Sequence, residues 1–167
     1  MYRNTFLSVM FLACCFNGSL CAQSDAQIYE RTCDAKTYPF SDPSPVATPN
    51  NSYYPYFRFD GFSMQAQEKQ WKMVVLENDY VKLTVTPEIG GKIWGAIDKV
   101  NNKEFVYTNG VVKFRDVAMR GPWTSGGIEF NFGIIGHAPT CSTPIDYLTK
   151  KNVDGSVSCH IFSYEWI

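Results

Sequence analysis

Glu129 and Asn131 stand two residues apart at the end of the run Trp123-Thr124-Ser125-Gly126-Gly127-Ile128-Glu129-Phe130-Asn131, with Arg120 just before it and His137 just after. These side chains handle protons and sugar hydroxyls. An imidazole exchanges protons near neutral pH without help, and a carboxylate does so once burial or a neighbour raises its pKa. Within hydrogen-bond reach of a substrate, the two make an acid and a base. Glu129 and His137 are therefore the candidate catalytic pair. Arg120 can clamp a hydroxyl or a uronate carboxylate, Trp123 can lie flat against a sugar ring, and Asn131 can bond a hydroxyl. Gly126 and Gly127 let the backbone take crowded or left-handed conformations and let a ligand approach the main chain. Together they read as a sugar-sized polar site with an aromatic wall. Each also has a structural alternative: Glu129 bonded to Arg120 or to the Ser125–Gly127 turn, Trp123 in the core, His137 as a loop cap, Arg120 in a salt bridge to Asp116. Glu88 and Asp146 stand behind Asp116 as further carboxylates, and His160, without polar company, is read as structural.

The elements that must hold these groups are strands. After the glycines, Glu129 and Asn131 alternate with Ile128 and Phe130, the period of a short strand. Upstream, Lys72–Glu77 is a strand, Asn78-Asp79 a turn and Tyr80–Thr86 a second strand, with Val81, Leu83 and Val85 on one side and Lys82, Thr84 and Thr86 on the other. Pro87–Gly91 breaks the run, Lys92–Asp98 resumes it, and Val100–Lys103 is a hairpin loop. Glu104–Thr108 follows, then an Asn109-Gly110 type I′ turn signal, then Val111–Phe114. The pattern predicts an antiparallel meander. After an irregular Pro- and Thr-rich passage, Asn152–Gly155 is a turn and Ser156–Trp166 a last strand. No 3.6-residue apolar period appears after residue 70, so the expected fold class is all-β.

Residues 1–22 have the form of a secretory signal peptide: Arg3 at the start, an apolar run from Thr5 to Phe16, and a cut after Ala22. A lipoprotein signal acylated at Cys14 is the alternative. The run is too short to span a bilayer, so the chain is expected to be exported and not transmembrane. Residues 23–51, with Pro39, Pro43, Pro45 and Pro49, read as an extended linker. The aromatic stretch Tyr53–Phe62 reads as an edge strand or arm, and residues 52–167 form the β-domain. That domain is expected to continue beyond Ile167, because the last strand would end there with an open edge.

Of the six cysteines, Cys33, Cys141 and Cys159 lie beyond the leader. An exported chain can hold a disulfide, and Cys141 with Cys159 is the favoured pair. No cysteine or histidine cluster has the spacing of a zinc site, so no metal or cofactor is expected. The formal charge of −1 comes without a basic run, which argues against a nucleic-acid partner. Aromatic residues make up 16% of the chain. That abundance suits both a pleated core and contact with sugars. Oligomeric state is left open.

Three stretches carry a family resemblance: Leu76–Asn109 with its Pro-x-x-Gly-Gly turn, the VVKF and MRGPWTSGGIEFN segments ending at Asn131, and the region around GHAPTCSTPID. They resemble the galactose-mutarotase-like superfamily, and within it the uncharacterised domain of unknown function 5107. The resemblance implies an antiparallel β-supersandwich of which this chain is the N-terminal part. It also implies a carbohydrate ligand, and sugar epimerase, mutarotase or glycoside hydrolase chemistry, the last by paired carboxylates. Where such proteins show a tryptophan-proline step and two adjacent histidines, this chain has Phe132-Gly133-Ile134-Ile135-Gly136 and the single His137. A non-catalytic carbohydrate-binding module and a structural β-domain without a ligand are the competing expectations.

Overall fold

The computed structural model describes residues 26–40, 62–116, 122–131 and 140–163. The leader, most of the Tyr53–Phe62 arm, Arg120, the Phe132–Gly136 run and His137 lie outside the described residues. No helix is present among those described, and none is therefore long and apolar enough to cross a membrane.

Among the described residues nine strands follow one another: β1 (Gln27–Tyr38), β2 (Gln67–Glu77), β3 (Val81–Thr86), β4 (Lys92–Asp98), β5 (Lys103–Val106), β6 (Val112–Asp116), β7 (Pro122–Thr124), β8 (Asp146–Lys151) and β9 (Val157–Phe162). Seven form one sheet in the order β5-β4-β3-β2-β1-β6-β7, while β8 and β9 form a separate hairpin. The protein is all-β, as its pattern predicts. The sheet is mixed, however, because β1 pairs antiparallel with β2 but parallel with β6.

β1 corrects the linker assignment of residues 23–51. Residues 27–38 form the longest strand and pair with β2 over Gln27–Thr37. The prolines that suggested irregular chain begin only at Pro39, and Cys33, Ala35 and Thr37 alternate inward along β1. The Asn109-Gly110 step does not close a hairpin either. A type I′ turn needs positive φ at both central residues, and neither Asn109 nor Gly110 has it. The segment instead leads from β5, at one edge, to β6, beside β1. β8 was hidden by its mixed composition: Tyr147 and Thr149 are half-buried while Leu148 is exposed.

The turns elsewhere are built as the sequence implies. Asn78 Oδ1 accepts the N–H groups of Tyr80 and Val81, both at 2.9 Å. Asp98 Oδ1 accepts Val100 N–H at 2.9 Å, and Asn102 takes the left-handed position with φ 51°. Asparagine and aspartate favour such turns because their side chains bond their own backbone.

The sheet curls until its ends meet. Ile93 and Ile128 exchange two backbone hydrogen bonds of 3.0 and 2.8 Å, and Gly127 N–H donates to Tyr107 O at 2.8 Å. Only Ile128 bridges here, so 128–131 is not the strand that alternation suggested. Inside the curl Trp71, Met73, Ile89, Trp94, Val112 and Phe114 form the buried core. Trp71 Nε1 donates to the Thr37 hydroxyl at 2.9 Å, which satisfies a buried indole N–H.

On the outer face Leu76, Leu83, Val85 and Ile93 meet the β8–β9 hairpin through Ile145, Cys159 and Ile161. They line an apolar cavity of about 610 Å³ with no charged side chain among the described lining residues. Tyr147 on β8 holds the hairpin to β1 by donating to Glu30 Oε1 at 2.6 Å. Cys33, Cys141 and Cys159 carry no disulfide, so the expected Cys141–Cys159 bridge is absent. Cys159 faces the outer cavity, and burial raises its thiol pKa.

Candidate functional site

The inner face of β3 and β4 is polar where a core would be apolar. Alternation turns Leu83 and Val85 outward, which sends Lys82, Thr84 and Thr86 inward. Thr86 pairs with Lys92 across the ladder, and the register shifts at Thr84/Val85 so that Trp94 bulges beside Gly95. Lys92 and Trp94 therefore both enter the curl. Lys92 is 1% exposed. A lone buried ammonium is costly unless paired and hydrogen-bonded. Lys92 Nζ donates to Thr124 O at 2.8 Å and to Thr124 Oγ1 at 3.2 Å. It also sits 5.9 Å from the ring centres of both Trp94 and Trp123, within cation–π range. Burial pushes its pKa down, while the charge of Glu129, and that of Cys141 after it, pulls the other way.

Glu129 belongs to this cluster. Ile128 and Phe130 are exposed, whereas Glu129 is half-buried and its Oε2 is shielded from solvent. The usual sidedness is inverted here, with apolar residues outward and the carboxylate inward. Trp123, on β7 opposite Arg115, is half-buried beside Lys92. Asn131 is exposed one residue beyond Phe130. Trp123 and Glu129 thus converge through Lys92, and Asn131 sits at the rim of the same segment. Arg120 and His137, both outside the described residues, cannot be added to the arrangement.

Gly126 and Gly127 have φ of 82° and 72°. A Cβ on Gly127 would overlap the Ile93 carbonyl, and one on Gly126 would lie 3.0 Å from Asn109 N. Their freedom therefore closes the curl, and Asn109 Nδ2 steadies the same turn by donating to Ser125 Oγ at 2.8 Å. Glu88 accepts the Lys72 N–H, Asp146 is exposed at the start of β8, and Asp116 ends β6 opposite Pro122. His160 stacks on Phe162 with ring centres 6.4 Å apart.

Lys92 is the residue that sequence reasoning missed. Its signal was present: in KIWGAID it shares a face with Trp94, and a tryptophan two residues away on an inward face takes its neighbour inward too. Chemically, the cluster offers a shielded carboxylate, an ammonium of weakened basicity and two indole walls.

A solved structure, a TPR-domain containing protein from Parabacteroides distasonis ATCC 8503, resembles this chain with a TM-score of 0.68 and 29% identity, over 79% of this chain and 23% of that one. This chain thus spans less than a quarter of that protein's length. The family described as Domain of unknown function (DUF5107) matches residues 48–166. That match takes in the second to ninth strands and the whole Trp123–Asn131 segment, and the chain belongs to this family.

Proposed function

We propose that this domain recognises a carbohydrate at the Trp123–Glu129 segment and acts on it as an exported carbohydrate-active protein. The observation that carries the reading is the inward carboxylate of Glu129 beside the buried Lys92 ammonium, between Trp94 and Trp123. A buried charge pair is a poor stabiliser compared with apolar packing, so a purely structural strand has little use for it. Aromatic rings beside hydrogen-bonding charged groups match the two surfaces of a sugar, its apolar face and its hydroxyls.

In this reading Glu129 is the proton-transferring carboxylate and Trp123 the stacking ring. Asn131 and Arg120 bind hydroxyls, and His137 is the partner acid. The reaction class is anomer or epimer exchange, or glycoside hydrolysis, on a fold of the galactose-mutarotase-like supersandwich type. The test is a glycan array with thermal-shift measurement on the full chain, Trp123→Ala and Glu129→Gln. One sugar class should stabilise the chain, and Trp123→Ala should lose that response. Glu129→Gln should keep binding and lose turnover. A folded chain that answers to no sugar refutes the reading.

A further inference from the structure

A second cavity, about 330 Å³, opens on the inner face of the sheet and is lined by the core residues Met73, Trp94 and Val112. Its size is that of a small-ligand site. Met73 and Trp94 line its floor, and Arg31, Lys82 and Glu104 line its rim. The ladder explains the rim. Arg31 pairs with Met73, and the row Glu77–Lys82–Ile97–Glu104 crosses β2 to β5 on the inner face.

Charges at such a rim are usually spent on one another. Glu77 is spent: it accepts from Tyr29 at 2.8 Å and from Lys99 at 3.3 Å. Lys82 lies opposite Glu77 in the ladder and acts on that carboxylate through its charge alone, whereas Arg31 makes no ion pair or side-chain hydrogen bond among the described residues. Of the charged side chains along it, Arg31, Lys82 and Glu104 stand on the inner face, two cations against one carboxylate. A guanidinium is a planar, two-pronged donor matched to a carboxylate. The Thr84 and Thr108 side chains and the Trp94 ring supply hydroxyl partners and a flat surface.

We propose that this cavity binds a small carboxylate-bearing sugar of the hexuronate class, its carboxylate on Arg31 and its ring against Trp94. The inference rests on the reading that the domain recognises carbohydrate, and it names an acidic sugar and a place distinct from Trp123 and Glu129.

Isothermal titration of the full chain with glucuronate, galacturonate and the matching neutral hexoses tests it. One uronate should bind at least about tenfold more tightly than its hexose, the gain expected of a charge-assisted pair. Arg31→Gln should erase that preference, Arg31→Lys should restore part of it, and added salt should weaken it. The Trp94 indole N–H resonance should shift on binding. Arg31 is exposed, so its variants should fold, which circular dichroism checks.

A uronate bound no better than its hexose overturns the inference and leaves the carbohydrate reading standing. So does a preference that survives Arg31→Gln but vanishes in Trp123→Ala. Absence of binding by either sugar in this titration overturns the inference, and the glycan array then decides the wider reading.

Discussion

Replacing Gly127 with alanine should open the curled sheet. Gly127 has φ 72°, a left-handed conformation that costs a residue with a Cβ about 1–2 kcal/mol. The added methyl would also overlap the Ile93 carbonyl, a backbone atom that cannot rotate away. Relief requires the turn to withdraw from β4, which breaks the two Ile93–Ile128 bonds and the Gly127–Tyr107 bond. At about 1 kcal/mol net for each backbone bond, closure accounts for about 3 kcal/mol. The sum is about 4–5 kcal/mol. Gly155→Ala is the control: φ is 84°, but nothing lies within 4 Å of its added Cβ. It should cost only the conformational 1–2 kcal/mol, or about that. Urea unfolding followed by tryptophan fluorescence measures both, the midpoint shift multiplied by the slope giving the free energy. Equal costs for the two variants would refute the account of closure.

Three further outcomes are expected. The lowered pKa of Lys92 means that the folded chain binds its proton less tightly than the unfolded chain does, so stability should rise with pH up to about 10.5, the ordinary lysine value. Lys92→Met should flatten that rise in denaturation midpoints taken across alkaline pH, and an unchanged slope would contradict the burial of the ammonium. The Tyr147 hydroxyl, bonded to Glu30, is pushed up to about 12 from 10.0, so the bond is intact below pH 10 and is lost as pH climbs toward 12. Ultraviolet titration should show a late tyrosinate that is lost in Tyr147→Phe, while Tyr29, raised by its bond to Glu77, remains. Thr37→Val should leave the buried Trp71 indole N–H without its acceptor and cost about 1–3 kcal/mol in the same urea assay, with a change in near-ultraviolet circular dichroism.

The alternation of β2 to β4 was legible because period-two patterns survive when the two faces differ in polarity. Which face was the inside was not legible. Apolar Leu83 and Val85 face the β8–β9 hairpin, while Thr84 and Thr86 face the curl, so both faces are covered and polarity no longer marks solvent. β1 was missed because its inward residues are small or polar, and its pairing depends on β2 and β6, neither of them nearby in the chain. Of the site, Trp123 and Glu129 were legible from residue type alone. Lys92 was not, because a lysine that opens a strand ordinarily points to water, and the Trp94 bulge that fixes its direction depends on the register with β3.

The closure has a dynamic consequence. The Ile128 bridge is isolated, with 129–131 outside any ladder, so beyond the adjacent Gly127–Tyr107 bond no run of ladder bonds reinforces it. Two amide protons, those of Ile93 and Ile128, are consequently reporters of a single event. Their exchange with solvent should occur together and well before that of β1 and β2, whose long register requires global unfolding. The same opening frees Glu129 and β7 from β4 and exposes the Lys92 ammonium to water. The site is thus tied to a local equilibrium that a bound ligand would shift, and slowed exchange at these two amides would register that binding without any assay of chemistry.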